Sequence, residues 1–343
     1  MTSAVFEILD VLDGGLLTTI QDAGRRDWAH LGVPESGAAD PWSLAVANLL
    51  VGNDPADAVL EMTLVGPTLA VRSDVGITIG LAGADLGARI RDGRRLVPGR
   101  SHRLADGEVL EIPGDGPNAP AAGCRAYLAV PGGIDAPIVL GSRSTCLAAG
   151  FGGLAGRALR AGDAIAATPA ARPALNRTEL VWPDPDDAEW HGGPVHATPA
   201  TLRVVGGPAP GLDTVASMDW QVGSASDRVG VRLDGKPVPD GIGGEATTQG
   251  IPWGAIQVPA DGRPIVLGAD HQPTGGYRVV GVVISADLPV LGQLRPGSPV
   301  RLEAVDRPAA LVALRGRRET LVAGAAALRD AVGWGALIDS AGG

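Results

Sequence analysis

Of the 28 basic residues in this 343-residue chain, only Lys236 is a lysine. A Ser-Ser-Lys amidase would have to use it, and no Gly-rich serine segment accompanies it. No G-x-x-x-x-G-K-[ST] loop occurs, so no P-loop nucleotide site is visible, and G-x-S-x-G is absent too. Cys124 and Cys146 are the only cysteines. Both sit in apolar, strand-like surroundings and read as small buried hydrophobes. With five histidines and no cysteine pair at ligand spacing, a structural zinc site is not expected. His191 and His196 are five apart, but in a Pro/Gly-rich acidic stretch with no helix to present them. A net charge of −10 argues against nucleic acid or an anionic membrane, because phosphate binding needs clustered cations. The N-terminus lacks a basic segment followed by an apolar one, and no apolar run reaches about 18 residues. The expectation is a soluble cytoplasmic protein.

What is present fits a globular fold with room for two cores: 45% of residues are apolar and 19% charged. Gly 51 and Pro 28 are scattered between apolar runs, where they punctuate turns. The chain also echoes itself. Val130-Pro-Gly-Gly-Ile-Asp-Ala-Pro-Ile-Val-Leu-Gly141 resembles Val258-Pro-Ala-Asp-Gly-Arg-Pro-Ile-Val-Leu-Gly268. Gly87-Ala-Arg-Ile-Arg-Asp-Gly93 resembles Gly230-Val-Arg-Leu-Asp-Gly235, and Leu159-Arg-Ala-Gly162 resembles Leu294-Arg-Pro-Gly297. The pairs occur in one order at a spacing of about 130 residues, too long for a solenoid and suited to two whole domains of one fold.

Along the chain, residues 6–12 and 16–20 read as an N-terminal hairpin. Residues 21–40 have no periodicity yet are dense in Asp, Arg, His, Glu and Ser, the mark of a functional loop. Asp40-Pro41 then signals a helix start, with Leu44, Ala47, Leu50 and Val51 as its stripe and Gly52-Asn53 as its stop. Residues 59–167 read as many short strands, including 138–140, which indicates an antiparallel barrel or sandwich. The Pro- and Asp-rich residues 170–200 read as a linker. Strands resume at 202–205, a short helix is expected near 213–219, and residues 318–332 read as a C-terminal amphipathic helix. The resulting division is 1–175, 196–310 and 311–343.

Chemistry concentrates after the strand Pro264-Ile-Val-Leu267, where Asp270, His271, Gln272 and Thr274 precede Gly275-Gly276-Tyr277. This is either a ligand site at a strand end or a polar hairpin loop. Arg25, Arg143 and Arg228 are candidate carboxylate clamps, because guanidinium forks match carboxylates bidentately. Asp22, Glu35, Asp85, Asp227, Asp270, His30 and His271 are candidate proton-transfer groups. Each carboxylate alone is equally a turn or strand-end cap, and Arg143 and Arg228 are equally buried ion-pair partners.

The segments Thr19–Arg25, Gly32–Asp40, Asn48–Asn53, Gly83–Asp85, Gly141–Thr145, Ser226–Arg232, Gly250–Pro259 and Ala269–Tyr277 together resemble the biotin-dependent carboxyltransferase family. That family includes the C subunit of 5-oxoprolinase, and its members are also called allophanate hydrolase subunit 2 or antagonists of a histidine-kinase inhibitor. The resemblance spans roughly residues 5–305. It implies a mainly β fold of two duplicated cyclophilin-like β-barrel domains with a few short helices, in agreement with the internal echo. It further implies one part of an ATP-dependent 5-oxoprolinase, which opens 5-oxoproline to L-glutamate together with B-like and A-like partner subunits. ATP is then needed by the complex. A biotin carrier needs a lysine on an exposed hairpin flanked by small residues or Met; Asp234-Gly-Lys-Pro-Val238 lacks that flank, so no biotin is expected on this chain. The site residues expected on this reading are Asp270, His271 and Asp22 for catalysis. Arg25, Ser36, Arg143, Arg228, Gln257, Gln272, Thr274, Gly275, Gly276 and Tyr277 are expected to bind substrate. His271 and Pro273 depart from the family's usual Arg and Thr. The alternatives are the carboxyltransferase part of a biotin-dependent carboxylase of urea or a related amide, and a regulatory binding protein without catalysis.

Overall fold

The computed structural model describes residues 6–114, 123–169, 179–183 and 199–331. In chain order the first β-unit comprises β1 (Phe6–Asp13), β2 (Leu17–Gln21), α1 (Pro41–Leu49), β3 (Val59–Thr63), β4 (Thr68–Val71) and β5 (Ile77–Gly83). It continues with β6 (Arg89–Ile90), β7 (Arg100–Leu104), β8 (Val109–Glu111), β9 (Arg125–Ala129), β10 (Ile134–Asp135) and β11 (Ala164–Ala167). The second comprises β12 (Ala200–Gly206), α2 (Leu212–Ala216), β13 (Trp220–Val222), β14 (Gly230–Asp234), β15 (Glu245–Gly250) and β16 (Ala255–Val258). It ends with β17 (Ile265–Leu267), β18 (Thr274–Val283), α3 (Leu288–Gln293), β19 (Pro299–Ala304) and α4 (Arg307–Ala331).

Two antiparallel sheets build the first unit, ordered β10-β11-β1-β4-β8-β6 and β2-β3-β9-β5-β7. Alternating apolar residues of both, such as Leu9, Val11, Leu60, Met62, Ile79 and Leu110, meet in one core. In the second unit the order β12-β19-β13-β14-β17-β16-β18 closes because β18 also pairs with β12. The result is a seven-stranded barrel, closed at its seam by antiparallel β12–β18, while first strand β12 runs parallel to last strand β19. Leu202, Val231, Leu233, Ile256, Val266 and Val280 fill it. The mainly β class with few helices is as expected.

Asp40 caps α1 by accepting the Ser43 N–H, with Pro41 at the first helical position. Four local expectations differ. β1 and β2 form no hairpin: β1 pairs with β11 and β4, while β2 pairs with β3 in the other sheet. Residues 138–140 form no strand: Ile138 is exposed, Leu140 takes a φ of +54°, and only an isolated Val139–Ser142 bridge forms. Its twin, β17, pairs on both sides, with β14 and β16. The supposed linker is not featureless either. Leu180 exchanges hydrogen bonds with Ser101, and Trp182 is buried edge-on to Trp42. Residues 170–178 and 184–198, including the His191/His196 pair, lie outside the described residues. The last helix starts eleven residues before the expected 318, at Arg307. It returns to the first unit, stacking Arg317 5.2 Å over Trp42 and laying Gly324 on Trp182.

Candidate functional site

The two units meet along a buried polar seam. Glu61 stands in β3, 1% exposed, between apolar neighbours. One carboxylate oxygen accepts the Ala39 N–H and the Tyr127 hydroxyl, each at 2.8 Å. The other faces Arg228, which arrives from the barrel side just before β14. Arg228 also grips Asp270 with two nitrogens, at 2.8 and 3.0 Å, and donates to Gly37 O at 2.6 Å. Burial pulls the Arg228 guanidinium down, but the Glu61 and Asp270 charges outweigh it and hold it above its ordinary value. Burial, and then the Glu61 charge, raises Tyr127 well above the usual phenol range, so it stays a donor.

Gln293, at the end of α3, completes the seam. Its oxygen accepts the N–H groups of Cys124 and Arg125, and its nitrogen donates to Asp40 and to Arg125 O. Gly292 is required beside it, because a Cβ there would lie 2.2 Å from Ala39 O. Asp40 itself is fully buried, and desolvation raises its pKa although Ser43 and Gln293 donate to it. A folded value above the unfolded one means stability that is complete below the ordinary Asp range and lost as pH rises through the raised value. The unfolding free energy of wild type relative to Asp40→Asn is therefore expected to fall as pH rises from about 4. Paired denaturant titrations across pH check this; a difference that grows with pH contradicts it.

Next to this seam a cavity of about 280 Å3 opens between the residue 22–40 loop and the barrel. Ala29, Val33 and Glu35 form one wall; Ile251, Trp253 and His271 lie on the other, with Pro273, Ser285 and Leu288. The loop is not irregular throughout, for Ala29–Leu31 is a 3-10 turn capped by left-handed Gly32. His271 is buried, with Nδ1 2.8 Å from Gly268 O and Nε2 3.0 Å from Ile251 O. It ties the turn after β17 to the segment after β15 and so fixes the barrel wall of the cleft.

The expected site residues divide accordingly. His271 lines the cleft, Asp270 precedes it in the seam, and Gln272 and Thr274 are exposed beside Pro273 on the same segment. Gly275 and Gly276 open β18, and a Cβ on Gly275 would strike the Gln257 amide at 2.6 Å. Tyr277 is 42% exposed, on the ribbon that β18 forms with β15. Asp22 lies elsewhere. Its carboxylate takes the hydroxyls of Ser142 and Ser144 and the N–H groups of Gly24 and Arg143. It latches two loops and does not line this cleft.

None of the three arginines lines the cleft. Arg143 pairs with Asp135 at 2.9 Å and donates to Ala136 O, away from the cleft lining. Arg228 is consumed by Glu61 and Asp270, which are compact enough to take all its nitrogens. Arg25 is 1% exposed, lies 4.8 Å over the Phe151 ring and donates to Ser144 O; burial lowers it from its ordinary value. Its Nη1, with Ser36 Oγ and Gln257 Nε2, has no hydrogen-bond partner among the described residues.

The chain matches the carboxyltransferase domain, subdomains A and B, over residues 31–304. It belongs to this carboxyltransferase family. Among its relatives is the C subunit of 5-oxoprolinase from Escherichia coli K12, 35% identical over 302 residues that cover 85% of this chain and 90% of that protein. The solved structure of TTHA0988 is 33% identical, with a TM-score of 0.75 over 88% of this chain, which spans only 56% of that one. The urea amidolyase of K. lactis gives 26% identity and a TM-score of 0.78 over 94% of this chain, which spans 20% of that protein. The carboxyltransferase fold is thus shared by chains of very different total length. Glu61, Arg125, Tyr127 and Gln293 are seam residues that the motifs do not single out. A signal for them does exist: they are polar groups in otherwise apolar buried segments, Arg125 and Tyr127 in the same strand, where a partner is obligatory.

Proposed function

We propose that this chain is the C-type subunit of an ATP-dependent 5-oxoprolinase, and that the cleft between its two β-units takes the cyclic amide. The nearly end-to-end match to the Escherichia coli protein carries this reading, since the similarity covers 90% of that chain. The cleft suits it in size and in its largely apolar walls. On this reading the units are residues 1–175 and 196–310, followed by 311–343. The substrate-facing groups are His271 and the rim residues Gln272, Thr274 and Tyr277.

ATP does not fit this cleft. Its lining carries Glu35 and neither lysine nor arginine, and phosphates need cations or a helix N-terminus fed by a Gly-rich loop. Nucleotide chemistry is accordingly assigned to the A-like and B-like partners. Lys236 lies in the exposed turn after β14, next to Pro237, without a carrier's flanking sequence.

The test is reconstitution. Partner subunits purified from the same source are expected to release glutamate from 5-oxoproline only when this chain is added. Equal turnover in its absence refutes the assignment. The urea amidolyase likeness favours one competitor, transfer of a carboxyl group onto urea or a related amide. Loss of activity on adding avidin selects that reading instead.

A further inference from the structure

Glu35 stands out in the cleft. It is exposed, it lines the cavity, and its carboxylate has no hydrogen-bond or ion-pair partner among the described residues. Its backbone is nonetheless tightly held. The Arg25 N–H donates to its carbonyl at 2.8 Å, and the next two residues, Ser36 and Gly37, both take left-handed conformations, φ +55° and +88°. A serine there is strained, and at Gly37 an added Cβ would lie 2.9 Å from Gly24. Such a conformation persists only where its surroundings over-determine it, so the direction in which Glu35 leaves the chain is fixed by the fold.

The rest of the lining decides what Glu35 would meet. Val33, Ile251, Trp253, Pro273 and Leu288 are apolar, and both ring nitrogens of His271 already face carbonyl oxygens. No lysine or arginine lines the cavity, and the guanidiniums of Arg143 and Arg228 are spent on Asp135, Asp270 and Glu61. A carboxylate placed inside would meet another carboxylate and no arginine or lysine. A ligand N–H would meet a charged acceptor, and a ligand filling the cleft between these apolar side chains would cover that carboxylate from water.

We infer that Glu35 is the residue that selects the ligand of this cleft, accepting the N–H of an uncharged amide or lactam, and that any ligand carboxylate stays outside, towards the rim. The inference rests on the cleft being the substrate site. It names which end of the substrate enters, and it makes the neutral ring rather than the anion the recognised part.

Titration of the full chain with 2-pyrrolidone, N-methyl-2-pyrrolidone and 5-oxo-L-proline tests it, in wild type, Glu35→Ala and Trp253→Ala. The N-methyl compound is expected to bind wild type about ten-fold more weakly than 2-pyrrolidone, the worth of one charged hydrogen bond. Removing the carboxyl from 5-oxoproline is expected not to weaken binding. In Glu35→Ala the N–H preference is expected to fall below about two-fold. Equal binding of the two pyrrolidones by wild type, or a preference that survives Glu35→Ala, overturns the role of Glu35. The cleft reading outlives that result if Trp253→Ala weakens every lactam alike. If Trp253→Ala changes none of them, or if no lactam binds wild type at millimolar concentration, the cleft reading falls and the role of Glu35 with it.

Discussion

Arg228→Met is expected to destabilise the folded chain by about 3–5 kcal/mol, the cost of stranding a buried charge. Arg228 and Glu61 are 3% and 1% exposed at their side chains, and Asp270 is 3%. Methionine fills much of the volume but leaves Asp270 without its cation, Glu61 with only Arg125 at 3.7 Å, and Gly37 O without its donor. An unpaired Asp270 and a weakened Glu61 pair in a dry seam outweigh any gain from the apolar side chain. Arg228→Lys keeps one charge but replaces a planar fork that serves three groups, so it is expected to lose less than Met and still fall short of wild type. Urea unfolding midpoints at constant slope measure both losses. A loss below about 1 kcal/mol for Met would mean that water solvates these carboxylates in solution.

Gln293→Leu is expected to cost at least about 3 kcal/mol, although leucine is nearly isosteric. The amide serves four groups at once: two N–H donors, a carbonyl and the Asp40 carboxylate. Gln293 is wholly buried, so none of these groups regains water when it is removed. The four losses will not add simply, because the groups belong to one network. All four belong to residues 40, 124 and 125 of the first unit, while Gln293 stands on the barrel side, so the loss loosens the attachment of one unit to the other. Hydrogen exchange is the clearest readout. The Cys124 and Arg125 amides should lose protection in the variant while those inside β5 and β16 keep theirs. Uniform loss of protection would show instead that the barrel depends on the seam for its own folding.

Much of the fold is legible in the sequence because its signals are local. The Asp40-Pro41 helix start, the dense turn spacing of the β segments and the repeated Leu-Arg-x-Gly turns all act within a few residues. Both of those turns do lead into a strand, β11 and β19. Residues 138–140 mislead because the same Pro-Ile-Val-Leu-Gly that forms β17 has no neighbouring strand in the first unit, and pairing partners decide strand formation. The site is legible in part. His271 and the loop carrying Glu35 stand out as polar groups at chain turns, and they do share a cavity. Which carboxylate each arginine chooses is not legible, because Arg228–Glu61 and Gln293–Asp40 span 167 and 253 residues. Sequence shows that a guanidinium is available; only the assembled chain shows that it is already engaged.

The seam of the barrel also bears on the order in which the chain acquires structure. β12 is the first strand of the barrel and β19 the last, and they lie side by side. During synthesis, therefore, that wall stays open until residues beyond 304 have left the ribosome, however early β12 emerged. Throughout that interval the finished face of the first unit would present Glu61 with no arginine from the barrel to meet it. The nascent chain thus passes through a stage in which the seam has only its first-unit half, Glu61 beside Arg125 alone, and it is there that a chaperone or a partner protein would find an uncovered polar surface.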